Sequence, residues 1–324
     1  MAHAAAAGRT AVVQLGRGTR GMSVAVPWPL KFQIGARTLF SIRRRLVRVP
    51  LELRDVLSGE SPILPPLPPG ADGWSVTSLP EPLLDAVRPD SGFAFVRQRY
   101  TRYYADLTIG FDAWFAGLSG NARSGLKRKA KKLAEANDGT LDVRTYRTPA
   151  ELAEFHGIAR RVAQHTYQEK LLGAGLPDTM AFRAEMQGKG AAGEAFGWLL
   201  FVGGTPIAYL YCPMTQGDVR YDYVGHDPSW SEWSPGSVLH LEAFRTLFAD
   251  PTALRFDFTE GEGQHKRQFA TGGTACVDLL LLRGTLGNRA TVKALRAFDG
   301  GVERVKRARE WPVVGPLVAR VRRG

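Results

Sequence analysis

Two apolar runs, Phe196 to Val202 and Pro206 to Met214, stand on either side of the dipeptide Gly203-Gly204. Two glycines between strand-like runs read as a tight hairpin, because glycine enters left-handed turn conformations at no steric cost. A third run, Val219 to His226, follows at once, with Tyr221 and Tyr223 placed on one face by the period of two. The spacing predicts an antiparallel meander, and a meander needs other elements to cover it.

The flanking segments supply them. YYADL, from Tyr103, reads as a strand, after which Phe111, Trp114, Phe115 and Leu118 recur at helical spacing. From Ser119 to Ala136 an apolar stripe of Leu126, Ala130, Leu133 and Ala134 is surrounded by Arg123, Lys127, Arg128, Lys129, Lys131 and Lys132, with no acid before Glu135. Such a face is either simply solvated or a clamp for a polyanion. Leu141 to Arg147 reads as a short strand, and Thr148-Pro149-Ala150-Glu151 is a capping box that starts a helix running to about Thr166. A second helix is expected over Thr179 to Gly188. After the meander and the loop DPSWSEWSPGS, a helix from near Gly236 buries Leu241, Phe244, Leu247 and Phe248, and Cys276 to Arg283 forms a last strand.

The stretch from Arg255 to Phe269, RFDFTEGEGQHKRQF, concentrates the chemistry. Leu254, Phe256 and Phe258 alternate against Arg255, Asp257 and Thr259 as in a strand, which then breaks into a glycine-bracketed polar loop. The loop carries Glu260, Glu262, His265 and Lys266, groups that transfer protons or hold anions.

The first hundred residues are poorer in signals. Phe32, Ile34, Leu39, Phe40 and Ile42 suggest short strands, the arginines 43, 44, 45 and 48 a solvated strand edge, and Ser61 to Gly73 a proline-rich loop. From about residue 290 the chain is basic and helical, interrupted by WPVVGP. It reads as a solvated tail, with docking to a membrane surface or a partner as the alternative. The expected division is a smaller N-terminal subdomain over 1–105, a main domain over 106–290 and a basic tail over 291–324.

Composition bounds these readings. The 324 residues are 44% hydrophobic, mean hydropathy is −0.17, and no apolar run is long enough for a membrane span. The opening MAHAAAAG lacks the features of a signal peptide, and Cys212 and Cys276, the two cysteines, sit in apolar runs as buried thiols. A soluble cytoplasmic protein is expected, without a metal site. A net charge of +12 attracts anions without naming them.

The order of elements, with RYYADL, SGNARSGLKRKAKKL, HTYQEKLLGAGL, YVGHDPSWSEWSPGSVL and FDFTEGEGQHKRQF, resembles the GNAT acyltransferase superfamily. Within it, the likeness is to the branch related to the Fem peptidoglycan transferases and to acyltransferases of cellulose and exopolysaccharide synthesis. The motifs span roughly Arg102 to Phe269. The resemblance implies a mixed α/β fold, a GNAT core preceded by a reduced N-terminal α/β subdomain, with a degenerate GNAT-like half as one reading of that subdomain. It also implies direct transfer from acetyl-CoA or another acyl-CoA to an amine or hydroxyl, with no acyl-enzyme.

A helix N-terminus after a strand end is a receptor for pyrophosphate, which selects Ser234, Pro235, Gly236, Ser237 and Val238. The usual glycine-rich signature is replaced here by SPGS. Lys266, Asp257, Glu260, His265 and Tyr223 are the candidate catalytic groups, with Asp257 alternatively a structural carboxylate paired with Arg255 or a loop amide. Tyr167, Lys170, Tyr221, Trp230, Trp233, Arg123 and Arg128 are candidates for holding substrate. The expected acceptor is a small molecule or a lipid- or nucleotide-linked sugar of the cell envelope or an exopolysaccharide, met near the inner face of a membrane or beside polysaccharide machinery. Two other readings stay open: a Fem-like transferase taking its group from aminoacyl-tRNA along the cationic helix, and a non-catalytic docking module.

Overall fold

The computed structural model describes residues 23–34, 37–89, 91–166 and 175–310. The opening MAHAAAAG, the segment from Tyr167 through Lys170, and WPVVGP lie outside these residues. Compactness divides the chain into two units, one holding Tyr100–Ala275 and the other Leu15–Arg99 with Cys276–Gly324. The divisions therefore fall after Arg99 and Ala275, where the sequence suggested 105 and 290. The final helix belongs with the N-terminal strands because its apolar stripe is buried there.

In the first unit β4 (Phe93–Asp106) contributes its residues from Tyr100 onward. Next come α2 (Phe111–Gly117), the cationic α3 (Gly120–Glu135), β5 (Asp142–Tyr146), α4 (Pro149–His165) and α5 (Met180–Ala191). The meander consists of β6 (Ala195–Val202), β7 (Thr205–Thr215), β8 (Asp218–Arg220) and β9 (Tyr223–His226). Then α6 (Pro235–Phe248), β10 (Arg255–Asp257) and α7 (Gln264–Phe269) complete the unit. The α4 start is the predicted capping box: the Thr148 hydroxyl accepts from the Glu151 amide and the Glu151 carboxylate accepts from the Thr148 amide.

Every residue of β6 is buried, because helices cover both faces of the sheet. Trp198, Leu200, Leu210 and Cys212 point into one core with Trp114, Leu126 and Phe244, from α2, α3 and α6. Leu199, Phe201, Tyr209 and Tyr211 point into the other, with Leu152, Phe155 and Met186 from α4 and α5. This is the mixed α/β architecture expected of a GNAT core.

Two features of the sheet place the site. Strand β10 pairs antiparallel with β4 (Phe256↔Ala105) and parallel with β8 (Phe256↔Val219). The parallel pairing extends to the Tyr221 amide, which donates to the Asp257 carbonyl at 2.9 Å, and β9 then continues along β7. The carboxyl ends of two parallel neighbours thus diverge, which opens a crevice of the kind ligands occupy in α/β sheets. The second feature is a register shift along β7: Met214 faces Val219, whereas Tyr211 faces Tyr223. The extra residue on the β8–β9 side reverses the alternation.

In the second unit β1 (Ala25–Ile34) and β2 (Arg37–Pro50) form an antiparallel hairpin. β2 runs parallel to β3 (Gly73–Pro80), which pairs antiparallel with the Cys276–Leu282 part of β11 (Gly272–Leu282). The short α1 (Leu53–Ser58) follows β2, and α8 (Leu286–Glu310) buries Val292 and Leu295 against Leu30, Phe32, Leu46 and Leu280. The arginine run is not simply solvated: Arg44 donates to the Gly287 carbonyl and the Thr291 hydroxyl, and Arg48 lies 4.2 Å above the Trp28 ring.

Candidate functional site

Asp257 is buried on the face of β10 opposite Phe256. Arg102 of β4 grips it bidentately, Nε donating to Oδ1 at 3.1 Å and Nη2 to Oδ2 at 2.6 Å. Oδ1 also accepts the Thr259 amide at 2.8 Å. Thr259 has a φ of 59°, a left-handed conformation costly for a β-branched residue, so Asp257 fixes the turn out of the strand. This corrects two expectations. Asp257 is no free base, and although it does hold a loop amide, that of Thr259, its cationic partner is Arg102, since Arg255 instead donates to Asp218 at 2.6 Å.

The stretch after the turn is helical where a loop was expected. Residues 264–269 form α7, held at its end by the Trp114 indole, which donates to the Phe269 carbonyl at 2.9 Å. Lys266 is 7% exposed, and its Nζ donates to the Glu260 carbonyl at 2.6 Å. Burial is the largest influence on it, and despite the opposing pull of Glu260 and Asp257 its pKa falls to about 8. A solvated surface lysine is thereby excluded. Glu260 lies among cations, its charge acting on Arg102, Arg220 and Lys266. Glu262 faces away, accepting the Thr101 amide at 2.9 Å.

His265 keeps an exposed edge, yet burial of the rest of the ring, with Lys266 alongside, lowers its pKa to about 4. It is a neutral imidazole at neutral pH, able to accept a proton. Its centroid is 5.8 Å from the Tyr221 ring and 5.9 Å from that of His240.

His240 is the residue sequence reasoning missed. It lies on the buried side of α6, where its Nδ1 meets the Gly236 carbonyl at 3.0 Å, four residues back. Nδ1 therefore carries the proton and donates, and the buried Nε2 is left without a hydrogen-bond partner. Burial, then His265, lowers its pKa to about 4. One signal was legible: a polar residue one turn after Gly236 in an otherwise apolar helical face. Through His240 and Tyr221, 4.8 Å apart, the first turn of α6 and the stretch carrying His265 and Lys266 become one site.

The first turn of α6 has room for an anion. Ser234 caps it in a left-handed conformation without a side-chain cap, and a Cβ on Gly236 would meet nothing within 4 Å. Lys129 of α3 donates from Nζ to the Ser237 hydroxyl at 3.4 Å, placing a cation beside the turn. Pro235 and Val238 are buried, so Val238 has only its backbone to offer a ligand. Pro235 has no N–H and the Ser237 amide donates to the Ser234 carbonyl at 3.0 Å, so the Gly236 amide, the Ser237 hydroxyl and the Lys129 cation are what this turn offers an anion such as a pyrophosphate.

The remaining candidates separate. The register shift sends Tyr221 towards His240, Phe256 and Phe258, and Tyr223 to the opposite face, edge-on to Phe182 at 5.3 Å. The two tyrosines do not share a face, and Tyr223 does not join the His265 group. Trp230 and Trp233 lie in a 3₁₀ turn, 5.5 Å apart, with Lys132 4.2 Å above Trp233, so they adjoin α3 rather than the α4–α5 side. Arg123 ties α3 to the Ala116 carbonyl at 2.8 Å, and Arg128 is exposed. Tyr167 and Lys170 lie outside the described residues. Among those residues no cluster of metal-ligating side chains is present, and no helix is long and apolar enough to cross a membrane.

Comparison with known proteins agrees with this geometry. Residues 120–267 match the family model of the acetyltransferase (GNAT) domain. No curated protein matches significantly. Among solved structures, the chain is similar to the C-terminal domain of a lysylphosphatidylglycerol synthetase candidate from Agrobacterium fabrum, at 12% identity and TM-score 0.48, covering 69% of this chain and 72% of that one. L-PGS from Bacillus licheniformis overlaps at 12% identity and TM-score 0.45 with the same coverage. FemX overlaps at 8% identity and TM-score 0.43, covering 66% of this chain and 73% of its own. Likenesses this distant identify neither donor nor acceptor. Residues 120–267, somewhat under half of the chain, thus resemble a GNAT acetyltransferase domain, and the match supports a transferase.

Proposed function

We propose that the protein transfers an acyl group from an acyl-CoA directly to an amino or hydroxyl group of a cell-envelope or exopolysaccharide precursor. The observation that carries the donor reading is the link through His240. An open helix N-terminus with Lys129 beside it adjoins a neutral imidazole and a buried lysine across the crevice where β8 and β10 diverge. The acceptor class rests on the sequence resemblance alone.

A bound thioester supplies an activated carbonyl and a thiolate leaving group. The chain's residues do the rest. The first turn of α6 and Lys129 hold the anionic end of the donor. His265, neutral at working pH, takes the proton released as the acceptor attacks. Lys266, mostly protonated at neutral pH and already turned inward, places a cation where oxyanion charge develops. Asp257 and Arg102 hold the strand and its exit turn, a positioning role. Correct placement of two substrates supplies about 7–11 kcal/mol, more than the roughly 3–5 kcal/mol of proton transfer, so the rigid turn contributes as much as the base.

Calorimetry with acetyl-CoA and longer acyl-CoAs is expected to show binding that weakens in Lys129→Ala. Absence of heat across all acyl lengths sinks the donor reading.

One observation favours a second donor. Lys127, Arg128 and Lys131 of α3 are exposed, and the ion pair of Lys131 with Glu135 on that face, at 3.8 Å, is itself exposed and weak. Such a row suits a chain of phosphates such as aminoacyl-tRNA. Filter retention of tRNA, lost on changing these three residues to Gln, distinguishes that donor.

A further inference from the structure

The second unit carries a surface that the transfer reaction does not use. At the turn end of the β1–β2 hairpin Ile34, Leu39 and Phe40 are 54%, 48% and 51% exposed. Single exposed apolar residues are ordinary, but three within seven positions at a hairpin end form a patch. The patch is rigid. Phe40 stacks on the buried Phe32 at 4.1 Å, and Phe298 of α8 meets both rings edge-on at 5.3 and 6.3 Å. The exposed end therefore continues the core built from Leu30, Phe32, Val292 and Leu295.

Helix and hairpin run to the same end. Arg44 of β2 contacts Gly287 and Thr291 of α8, and Phe40 contacts Phe298. From residue 298 to Arg304 α8 advances about 9 Å at 1.5 Å per residue, and from Phe40 to Arg37 β2 advances about 10 Å. Arg304 and Arg37 thus arrive at one level, both exposed, with Lys293 and Arg296 exposed further back on the helix. The acids on this part of α8 are Asp299, half-buried and within electrostatic reach of Arg97, and Glu303. The continuing sequence adds Lys306, Arg307 and Arg309 against Glu310.

An apolar hairpin end, anchored through Phe40 and flanked by Arg37 and the cations of α8, has the chemistry of a bilayer interface, with hydrocarbon below and anionic headgroups beside it. A nucleic acid would use the cations and leave the aliphatic tip without a partner. We propose that the turn end of the β1–β2 hairpin, through Ile34, Arg37, Leu39 and Phe40, and the stretch of α8 from Lys293 to Arg304 dock the protein on anionic lipid bilayers. Ile34, Leu39 and Phe40 enter the interfacial layer, and Arg37, Lys293, Arg296 and Arg304 meet the headgroups. The proposal concerns the second unit and is independent of the donor used in the first.

The test is co-sedimentation of the full chain with vesicles of phosphatidylcholine alone or mixed with phosphatidylglycerol. Binding is expected with the anionic mixture only, with release as salt is raised. Ile34→Asp with Leu39→Asp is expected to lower the partition coefficient at least tenfold while leaving the melting temperature unchanged, since both residues are half exposed. Arg37→Gln with Arg304→Gln should lower it by about 25-fold, at roughly fivefold per cation. Three outcomes overturn the proposal. The first is equal or absent binding to both vesicle types. The second is anionic binding unaffected by the tip variants, which would place the contact elsewhere in the chain. The third is light scattering that shows a dimer dissolved by the Ile34→Asp and Leu39→Asp pair, with no vesicle binding.

Discussion

Arg102 and Lys266 are withdrawn from water to a similar degree, 3% and 7% exposed, and the protein treats them in opposite ways. Arg102 meets a carboxylate in bidentate geometry, so its charge is matched at the site. Lys266 meets a backbone carbonyl, which satisfies one N–H and brings no full charge. Burial then dominates and its pKa drops to about 8. One cation is committed to holding the strand, and the other is left able to respond to a substrate. The difference lies in the partner, not in the depth of burial.

The largest test of this contrast removes the matched charge. Arg102→Met leaves Asp257 buried and unpaired, and urea unfolding should show a loss of about 3–5 kcal/mol. Arg102→Met with Asp257→Leu should recover most of it. What is not recovered measures the left-handed turn at Thr259, which also depends on Asp257. A near-neutral Arg102→Met would end the comparison.

The unmatched charge should matter for rate and little for stability. Lys266→Ala is expected to fold normally and to lose about 10²–10³-fold in kcat, the size of one oxyanion contact. In the wild type, kcat should fall as pH rises through about 8, where the lysine loses its proton, and Lys266→Arg should lack that limb. Stability moves the other way. The folded-state pKa lies below the ordinary lysine value of 10.5, so the unfolded chain holds more protons between about 8 and 10.5, and stability rises with pH across that window. Activity and stability changing together there would refute the assignment.

His240 gives a third, slightly smaller effect. Its folded pKa of about 4 lies below the ordinary 6.5, so stability is lost as pH falls from about 6.5 towards 4, by up to about 3 kcal/mol. His240→Phe should flatten that slope in thermal melts. His265 acts in the same direction, damped by its exposed edge. The smallest expected effect is at Lys129, where Ala should weaken acyl-CoA binding about tenfold, or about 1.4 kcal/mol, with the melting temperature unchanged.

What the sequence disclosed follows the range of each signal. The capping box at Thr148 and the apolar stripes of α3 and α6 are local, and the structure places those helices within a few residues of expectation. Gly203 and Gly204 do form the turn between β6 and β7, both with positive φ. The Arg102–Asp257 pair joins residues 155 positions apart, and no periodicity announces it. Tyr221 and Tyr223 were misplaced because period-two reasoning assumes an unbroken register, and one extra residue between them and β7 moves a side chain through the sheet. α7 was hidden because its apolar contribution is essentially Phe269, and its fixity comes from tertiary contacts such as the Trp114 bond.

The two cysteines have a practical consequence. Cys212 lies in β7 with no exposure, where burial pushes its thiol well above the ordinary range, and Cys276 is 1% exposed in β11. A thiol-reactive dye meets neither sulfur, and little thiolate, until a strand opens. The time course of labelling in native buffer is therefore a stopwatch for breathing, timed at the centre of the meander by Cys212 and at β11 by Cys276. Peptide mapping of the dye separates the two clocks without any engineered reporter.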